Sequence, residues 1–408
     1  MSPTPDPART EQTGSRPLAP RRPTVVVWGT YDTGKPRTRN LLAGMRRCDW
    51  DVVECHVDVW GGVEDKTQLK RPLSRFLRLL RWMLAYPVLI LRYLALPRHD
   101  LVLVGYMGQL DVLVLWPLAR LRRVPIVWDA LISLYNTTVN ERGWYGPRHP
   151  AARLLFVLEW LGCRTADRVL ANTVTATRFF VETYAIPQIK ARPLFVGVES
   201  HAFPPRSPRA SVQGPIRVLF YGTLIPLHGV QTILEAARLA RDEDIVWHLI
   251  GSGQEADLVE QFLARDRLEK VRWRPWVPYE ELAPAIHACD VGLGIFGDGI
   301  QARWSIPNKV FQMLSCGVPI VTRDSPGARE LLSPEMPGIY LVPPKDPDAI
   351  VGAIHAYAAR REQLSAQLLH RDVVQRFDED ALARQLESIT EGLLPSRASV
   401  TAKRKTTP

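Results

Sequence analysis

Two long stretches of the chain alternate between short, continuous apolar runs and longer segments with helical spacing. Runs such as 24–28 and 216–221 are apolar at nearly every position, which is typical of parallel strands covered on both faces. The segments 73–85, 109–121 and 151–164 carry apolar residues at helical spacing. This order predicts doubly wound α/β domains. The predicted strands are 24–28, 52–57, 101–104, 126–128, 169–172, 216–221, 245–250, 271–273, 291–295 and 318–322.

A proline-rich stretch separates the two alternating regions. Residues 193–215 contain five prolines and show little periodicity, which is typical of a linker. A chain of 408 residues is long enough for two domains, each with its own core. We therefore predict a first domain over 24–195, a linker over 196–215 and a second domain over 216–378.

Both ends of the chain differ in composition from the middle. The first 23 residues hold six prolines and lack the apolar stretch of a signal peptide, so 1–23 is predicted to be a disordered leader. Residues 396–408 include Lys403, Arg404 and Lys405 and are predicted to be a disordered basic tail. The sequence has no run of eighteen uninterrupted apolar residues, and we predict no transmembrane span.

The charge of the chain indicates an anionic partner. The net charge is +10, and arginines outnumber lysines by 43 to 9. Nucleic acid, anionic lipid or a phosphorylated substrate would each fit this excess, but no zinc-finger, RNA-binding or repeat pattern favours nucleic acid. The five cysteines are odd in number and lack metal-ligand spacing, which favours a reducing compartment and argues against a metal site.

Residues 70–96 combine basic and apolar positions without any acidic residue. Arg71, Arg75 and Arg78 recur at helical spacing, leucines lie on the other side, and Trp82 stands among apolar residues. This pattern is typical of a helix that lies on an anionic membrane surface. A core helix of the first domain with a solvated arginine face is the alternative interpretation.

Glycine-bearing turns follow two predicted strands in the second half. The strand 216–221 leads into Gly222 and then into a helical pattern from Val230, and the next strand ends in Gly251 and Gly253. Amide groups at such a helix start are unpaired and bind phosphate. A single turn of this kind is more often structural, so the interpretation depends on what accompanies it.

A second motif follows about eighty residues later. It runs Ser305-Ile306-Pro307-Asn308-Lys309 and continues through a helix to a segment beginning Cys316-Gly317. Together the glycine turn and this motif resemble the sugar-nucleotide half of retaining, family-4 type glycosyltransferases (glycosyl transferases group 1). The resemblance covers most of residues 24–390. It implies the GT-B fold, in which two Rossmann-like domains face a central cleft. In that fold the final helix commonly crosses back to the first domain, and 379–395 is either such a helix or a simple terminal one.

The chain departs from this family at several positions. Thr223 and His228 stand where relatives have arginine and lysine, while Trp304 and Gln312 stand where relatives have two glutamates. His228 would carry charge in part if its pKa stayed near the ordinary value of about 6.5. Lys309 is then the main cation expected at the diphosphate.

The resemblance implies three groups of site residues. The predicted sugar-nucleotide contacts are Gly222, Thr223, Gly251, Gly253, Val277, Arg303, Asn308, Lys309 and Gln312. The predicted catalytic residues are Lys309, Asp129 and His228, and the predicted acceptor contacts are Thr30, Ser133 and Tyr135. Asp129 ends a predicted strand, where doubly wound sheets bind ligands, although it could equally cap the next helix.

The resemblance implies a retaining, metal-independent glycosyltransferase without a cofactor. It would move a sugar from a nucleoside-diphosphate sugar to a glycan or lipid-linked acceptor in cell-envelope or polysaccharide biosynthesis. The expected location is cytoplasmic, peripheral at the inner face of the membrane, with an anionic membrane surface as partner. Two alternatives stay open. One is a degenerate GT-B module that only binds at the membrane, and the other is a nucleotide-sugar epimerase of the same fold.

Overall fold

The structure, a computed structural model, describes residues 21–59, 72–209 and 212–394. Most of the predicted leader, the basic tail and residues 70–71 of the basic segment lie outside the described residues.

The first domain is built on a six-stranded parallel sheet. Its strands are β1 (Thr24–Gly29), β2 (Asp51–His56), β3 (Leu101–Val104), β4 (Ile126–Leu131), β5 (Arg168–Ala171) and β6 (Ala191–Pro193). They lie in the order β2-β1-β3-β4-β5-β6. The helices are α1 (Pro36–Arg47), α2 (Pro72–Ala95), α3 (Gln109–Arg122), α4 (Pro150–Thr165) and α5 (Val174–Tyr184). A π-helix covers Asn136–Glu141.

Alternate residues of the strands of this sheet pack against helices on opposite faces. Val26 and Val102 lie in a core with α2, α3, α4 and α5, whereas Val25 and Val27 lie in a core with α1. Burial on both faces explains why the strands are apolar without alternation.

The second domain repeats the arrangement. Its strands are β7 (Ile216–Tyr221), β8 (Ile245–Ile250), β9 (Val271–Arg274), β10 (Val291–Leu293), β11 (Ile320–Arg323) and β12 (Ile339–Val342), in the order β12-β11-β10-β7-β8-β9. The helices are α6 (Val230–Leu239), α7 (Ala256–Asp266), α8 (Leu282–Ala288), α9 (Ile300–Trp304), α10 (Asn308–Ser315), α11 (Pro347–Ala358), α12 (Arg361–Ser365), α13 (Arg371–Val374) and α14 (Glu379–Thr390). Short 3-10 turns cover Pro226–His228, Tyr279–Glu281 and Ala328–Glu330.

The predicted fold class, two doubly wound parallel sheets, is confirmed, with local differences. Strands β6 and β12 were not predicted. Helix α2 continues to Ala95 beyond the predicted end at 85, because Pro87 lies on the exposed side of the helix. The carbonyl oxygen that loses its partner there can be hydrated, so the proline does not end the helix.

Helix α14 lies against the first domain although it follows the second in sequence. Leu382 and Leu386 belong to the same core as Val25 and Val27 of β1. Gly197, in the link between the domains, has φ +77°, and a Cβ atom there would lie 2.4 Å from the Leu382 side chain. The chain therefore needs glycine where α14 passes the linker.

A buried ion pair fixes the start of this linker. Both guanidinium edges of Arg37 are used: Nε and Nη2 donate to the Asp129 carboxylate at 2.9 and 2.7 Å, and Nη1 donates to the carbonyls of Leu194 and Phe195. The two charged side chains are 3% and 1% exposed. One arginine thus ties α1, the end of β4 and the chain leaving β6 together.

We predict that Asp129→Asn destabilises the protein strongly. The change leaves the Arg37 guanidinium buried without its counter-charge, which costs about 3–5 kcal/mol in comparable pairs. The measurement is the urea denaturation midpoint. Asp242→Asn removes a surface pair with Arg241, and as the matched control it should change the free energy of unfolding by less than about 1 kcal/mol. Equal effects of the two substitutions would contradict a structural role for the Arg37–Asp129 pair.

Candidate active site

The strand order of the second sheet locates a crevice. From β7 the chain adds β8 and β9 on one side, and it then adds β10, β11 and β12 on the other side, so the strand order reverses between β7 and β10. Ligands of open α/β sheets bind at the carboxyl ends of the strands beside such a reversal. The Gly222 turn follows β7, and the segment that leads into α9 and α10 follows β10. The two sequence motifs therefore meet at one edge of the sheet.

The two glycine turns pack backbone against backbone. Gly222 and Gly251 have φ of +138° and +147°, and a Cβ atom at Gly251 would lie 1.9 Å from the Gly222 carbonyl oxygen. The amide of Leu224 donates to the carbonyl of Ser252 at 2.9 Å, and a Cβ atom at Gly253 would lie 2.6 Å from the Leu224 oxygen. A side chain at Gly251 or Gly253 would push the first turn away from its position.

The Lys309 ammonium lies directly beneath the first turn. Its Nζ has no hydrogen-bond partner within the described residues, and the residue is 5% exposed. Nζ stands 3.8 Å from the centroid of the Phe220 ring, and a Cβ atom at Gly222 would lie 3.1 Å from it. Burial holds the pKa of this amine well below its usual range. A buried, unpaired amine beside this glycine turn is suited to an anionic ligand.

His228 was expected to carry charge in part, and the structure corrects this. The imidazole is buried, and its Nδ1–H donates to the carbonyl of Thr223. Burial, and then the neighbouring Lys309, lower the pKa of His228 well below its ordinary value. The ring is therefore neutral at pH 7 in this arrangement, and it positions the turn instead of replacing the missing lysine of the relatives.

Gln312 reaches the site from the same helix as Lys309. Its Oε1 accepts a hydrogen bond from the Tyr221 hydroxyl at 2.8 Å, and both residues are buried. Because this bond uses the carbonyl oxygen, the amide NH2 group is what Gln312 presents to a ligand.

The other predicted sugar-nucleotide contacts differ in exposure. Thr223 and Arg303 are exposed, Asn308 is half-buried as the first residue of α10, and Val277 is buried in the core beside α10. Their contact with a sugar nucleotide stays a prediction.

In the first domain, the structure gives three predicted residues protein partners. Asp129 is fully paired with Arg37, which gives it a structural role and does not support its predicted catalytic one. The amide and hydroxyl of Thr30 donate to the Asp111 carboxylate, with distances from 2.8 Å. The Ser133 hydroxyl, with no exposure, donates to Glu159 at 2.7 Å. Direct acceptor contact by Thr30 or Ser133 is therefore not supported, because both hydroxyls are buried in these networks.

Glu159 is a buried carboxylate that sequence reasoning missed. It accepts hydrogen bonds from the Tyr184 hydroxyl at 2.5 Å, the Leu134 amide at 2.5 Å and the Gln109 side chain at 3.1 Å. It holds the loop after β4, including Tyr135, which is half-buried and stays a predicted acceptor contact. The available signal was that Glu159 is the single acidic residue of α4 and stands in its apolar middle part.

Two glutamates join the domains across the cleft. Glu141 of the first domain accepts from the Gln301 amide at 2.6 Å, at the start of α9. Glu330 of the second domain accepts from the amides of Val174 and Thr175 at 2.6 and 2.7 Å, at the start of α5. Each carboxylate caps a helix of the opposite domain, where it offsets unpaired amides and the helix dipole. No sequence signal pointed to either contact.

Trp304 also crosses between the domains. By the family resemblance, it stands at a glutamate position. Its ring packs edge-on against the Phe179 ring, with 3.8 Å between the ring centroids, and it belongs to the core of the first domain. The Thr173 hydroxyl donates to its carbonyl at 2.6 Å. The position thus serves domain contact, which explains why an aromatic side chain replaces a charged one.

The two facing Rossmann-like domains define a GT-B protein. The structure of Anabaena Alr3699/HepE in complex with UDP is similar over 91% of this chain and 100% of that chain, with a TM-score of 0.65 and 14% identity. At this identity the likeness shows the fold.

Sequence comparisons identify the family of the second domain. Residues 215–360 match the model of the family Glycosyl transferases group 1, so the second domain is a domain of that family. A probable glycosyltransferase WbjE of Pseudomonas aeruginosa is 29% identical over 141 residues, which is 33% of this chain and 34% of that protein. A D-inositol 3-phosphate glycosyltransferase of Geodermatophilus obscurus is 29% identical over 219 residues, which is 49% of this chain and 47% of that protein. The matches thus span a third to a half of these relatives.

We predict that Lys309→Met stabilises the free protein and weakens UDP binding. Methionine fills a similar space without a buried, unpaired donor, whose cost is about 1–3 kcal/mol. Loss of a charge-assisted contact should weaken UDP binding by about 1.5–3 kcal/mol. The measurements are thermal unfolding and calorimetric titration.

Lys270→Met is the matched control for this prediction. Lys270 precedes β9, at the opposite edge of the same sheet, and its Nζ donates to the Glu243 carbonyl. This substitution should leave UDP affinity unchanged. If Lys309→Met also leaves the affinity unchanged, Lys309 does not belong to the site.

Proposed function

We propose that this protein is a retaining glycosyltransferase that uses a nucleoside-diphosphate sugar. The observation that carries the proposal is the buried, unpartnered Lys309 ammonium beneath the Gly222 turn. Nothing in the described structure neutralises it, and a diphosphate above the turn would do so. The family match of residues 215–360 and the relatives named as glycosyltransferases support the same class.

A uridine nucleotide is the first sugar nucleotide to test. Structures of Anabaena Alr3699/HepE, which share this fold, contain UDP, or UDP-glucose. In the proposed complex the diphosphate lies over Gly222 and Thr223, Lys309 approaches it from below, and the Gln312 amide faces the ribose.

The proposed reaction places charge stabilisation on the leaving group. The bond between the sugar C1 and the diphosphate oxygen breaks, and an acceptor oxygen forms a bond to C1 on the same face. Negative charge develops on the diphosphate, where Lys309 stabilises it. The acceptor proton passes to a leaving phosphate oxygen. The Asp129 carboxylate is engaged by Arg37 and is not available as a base.

Metal independence is part of the proposal. Within the described ranges, no group of three or more His, Cys, Asp or Glu side chains has the geometry to hold a metal ion. In this proposal the charge on the diphosphate is met by Lys309.

The proposed setting is the assembly of a cell-envelope polysaccharide or glycolipid at the inner face of the membrane, with a glycan or lipid-linked acceptor. The chain would act from the cytoplasmic side as a peripheral protein. None of the helices in the described ranges is long and apolar enough to cross a bilayer.

We predict that UDP binding takes up a proton. The free site favours the neutral amine of Lys309, because burial lowers its pKa, whereas the diphosphate favours the ammonium. Between the pKa of the free site and the higher pKa of the complex, binding therefore adds a proton, and affinity falls as pH rises through this window. Calorimetry in buffers of different ionisation enthalpy measures the uptake. Lys309→Met should abolish it, and a wild-type binding enthalpy that is independent of buffer would count against the diphosphate contact.

The proposed activity is tested with a panel of UDP-, GDP-, ADP- and dTDP-sugars. We expect thermal stabilisation by one nucleotide class, and release of the nucleoside diphosphate from its sugar form that persists in EDTA. Release that EDTA abolishes and manganese restores would overturn metal independence. Tight nucleotide binding without any turnover or transfer would instead favour the membrane-bound binding module.

A further inference from the structure

Three neighbouring helices cover one face of the first sheet. The inner sides of α2, α3 and α4 pack in one core through residues such as Leu89, Leu115 and Cys163, all with no exposure. Helix α3 lies between the other two and packs against both. Their outer sides therefore form one continuous layer, which we call the α2–α4 layer.

The outer side of α2 carries many apolar side chains beside the exposed Arg81 and Arg92. Its exposed side chains include Leu84 at 60% and Leu91 at 68%, and the stripe continues along the helix. The exposed large apolar residues of α2 are Leu77, Leu79, Leu80, Met83, Leu84, Val88, Leu91 and Leu94. As in the alternative interpretation, α2 packs in the core of the first domain and has exposed arginines, but its exposed side also carries this apolar stripe.

The apolar surface continues on α3 and α4. Trp116 is 40% and Leu121 is 81% exposed on α3, and Leu154 and Val157 are 59% and 46% exposed on α4. Scattered exposed apolar residues are normal, but three adjacent helices that all present them form an interaction surface.

The charge on this layer has one sign. The three helices contain eight arginines and two carboxylates, and both carboxylates, Asp111 and Glu159, are 1% exposed and directed inward. Arg120, Arg123 and Arg153 are exposed at the ends of α3 and α4. The outer surface of the layer therefore offers apolar area and positive charge with no exposed carboxylate.

We propose that the α2–α4 layer is the surface by which this protein lies on an anionic lipid bilayer. Leucine and tryptophan side chains would enter the interface, and the arginines would meet anionic headgroups. A twofold contact between two copies fits less well, because it would bring the arginines of one layer against those of the other. The membrane surface itself is argued from exposure and charge. Its use in reaching a lipid-linked acceptor rests on the proposed function.

The layer is connected to the cleft of the first domain. Trp82 Nε1 of α2 donates to the Thr30 hydroxyl at 2.8 Å, and the Tyr86 hydroxyl donates to Asp111 at 2.8 Å. Asp111 in turn accepts from the Thr30 amide in the turn after β1. This turn lies at the carboxyl edge of the sheet, so a bilayer that holds α2 also fixes how the crevice faces the membrane surface.

Vesicle flotation tests the proposal with one double substitution on each helix. The probe is a vesicle of phosphatidylglycerol and phosphatidylcholine, with pure phosphatidylcholine as comparison. The variants are Leu84→Ser with Leu91→Ser, Trp116→Ser with Leu121→Ser, and Leu154→Ser with Val157→Ser. Leu239→Ser with Leu368→Ser is the matched control, because these leucines are 44% and 43% exposed in the second domain.

Each layer variant should bind anionic vesicles at least about tenfold more weakly, and the control should bind like the wild type. Arg120→Gln with Arg123→Gln should weaken binding roughly thirtyfold at low salt and much less at high salt. If the α3 and α4 variants bind vesicles as the wild type does, the proposal that the α2–α4 layer contacts the bilayer is wrong. Circular dichroism of every variant checks that the fold is intact.

Two further readouts separate the possible explanations. Light scattering of the soluble protein reports self-association, and a dimer that the layer variants dissociate would assign the surface to a second copy and overturn the proposal. UDP titration measures the affinity of the site in the second domain, and this affinity should be the same for all variants. Vesicle binding without UDP binding would contradict the proposed function but would still support the α2–α4 layer as a membrane-binding surface.

Discussion

The unpaired ammonium of Lys309 is the constraint around which the second domain is arranged. It lies beneath Gly222, whose φ of +138° favours glycine, and the turn in turn requires Gly251, because a Cβ atom there would collide with the Gly222 carbonyl oxygen. Burial, and then the neighbouring Lys309, lower the pKa of His228, and the neutral imidazole holds the Thr223 carbonyl. A buried amine without a partner is costly to the free protein, and an anionic ligand would remove the cost. The buried amine therefore lowers the stability of the free protein at the position where it would contact a ligand.

A different kind of interaction governs the first domain and the joint between the domains. Arg37 is satisfied completely, by Asp129 and by two carbonyls of the chain that leads into the linker. Glu141 and Glu330 then complete helix ends across the cleft. These carboxylates fix the positions of the linker and of the helix ends. Their common feature is that each is paired within the protein, whereas Lys309 is not.

The sequence predicted what depends on local pattern and missed what depends on distant partners. Continuous apolar runs predicted most strands of the two sheets, because burial on both faces produces that pattern. Strand β6 was missed, because it is only three residues long and includes Arg192 and Pro193. The glycine turn and the Pro-x-Lys motif predicted that Lys309 and Gly222 belong together. The pairing of Asp129 was missed, because a carboxylate at a strand end looks the same in the sequence whether it is free or paired, and Arg37 lies 92 positions away. Trp304 could not be understood without Phe179 of the other domain.

Two features of the folded chain are unfavourable unless something outside it is present. One is the buried amine of the second domain, and the other is the apolar α2–α4 layer of the first, where leucine side chains face water. Single departures from the rules of folding are common, and they concentrate at sites of function. Under the two proposals, a diphosphate in the cleft would pair with the amine, and the apolar region of an anionic bilayer would cover the leucine side chains. An enzyme that takes a water-soluble sugar nucleotide and delivers the sugar to an acceptor held in a membrane requires both kinds of surface. The two domains carry one each.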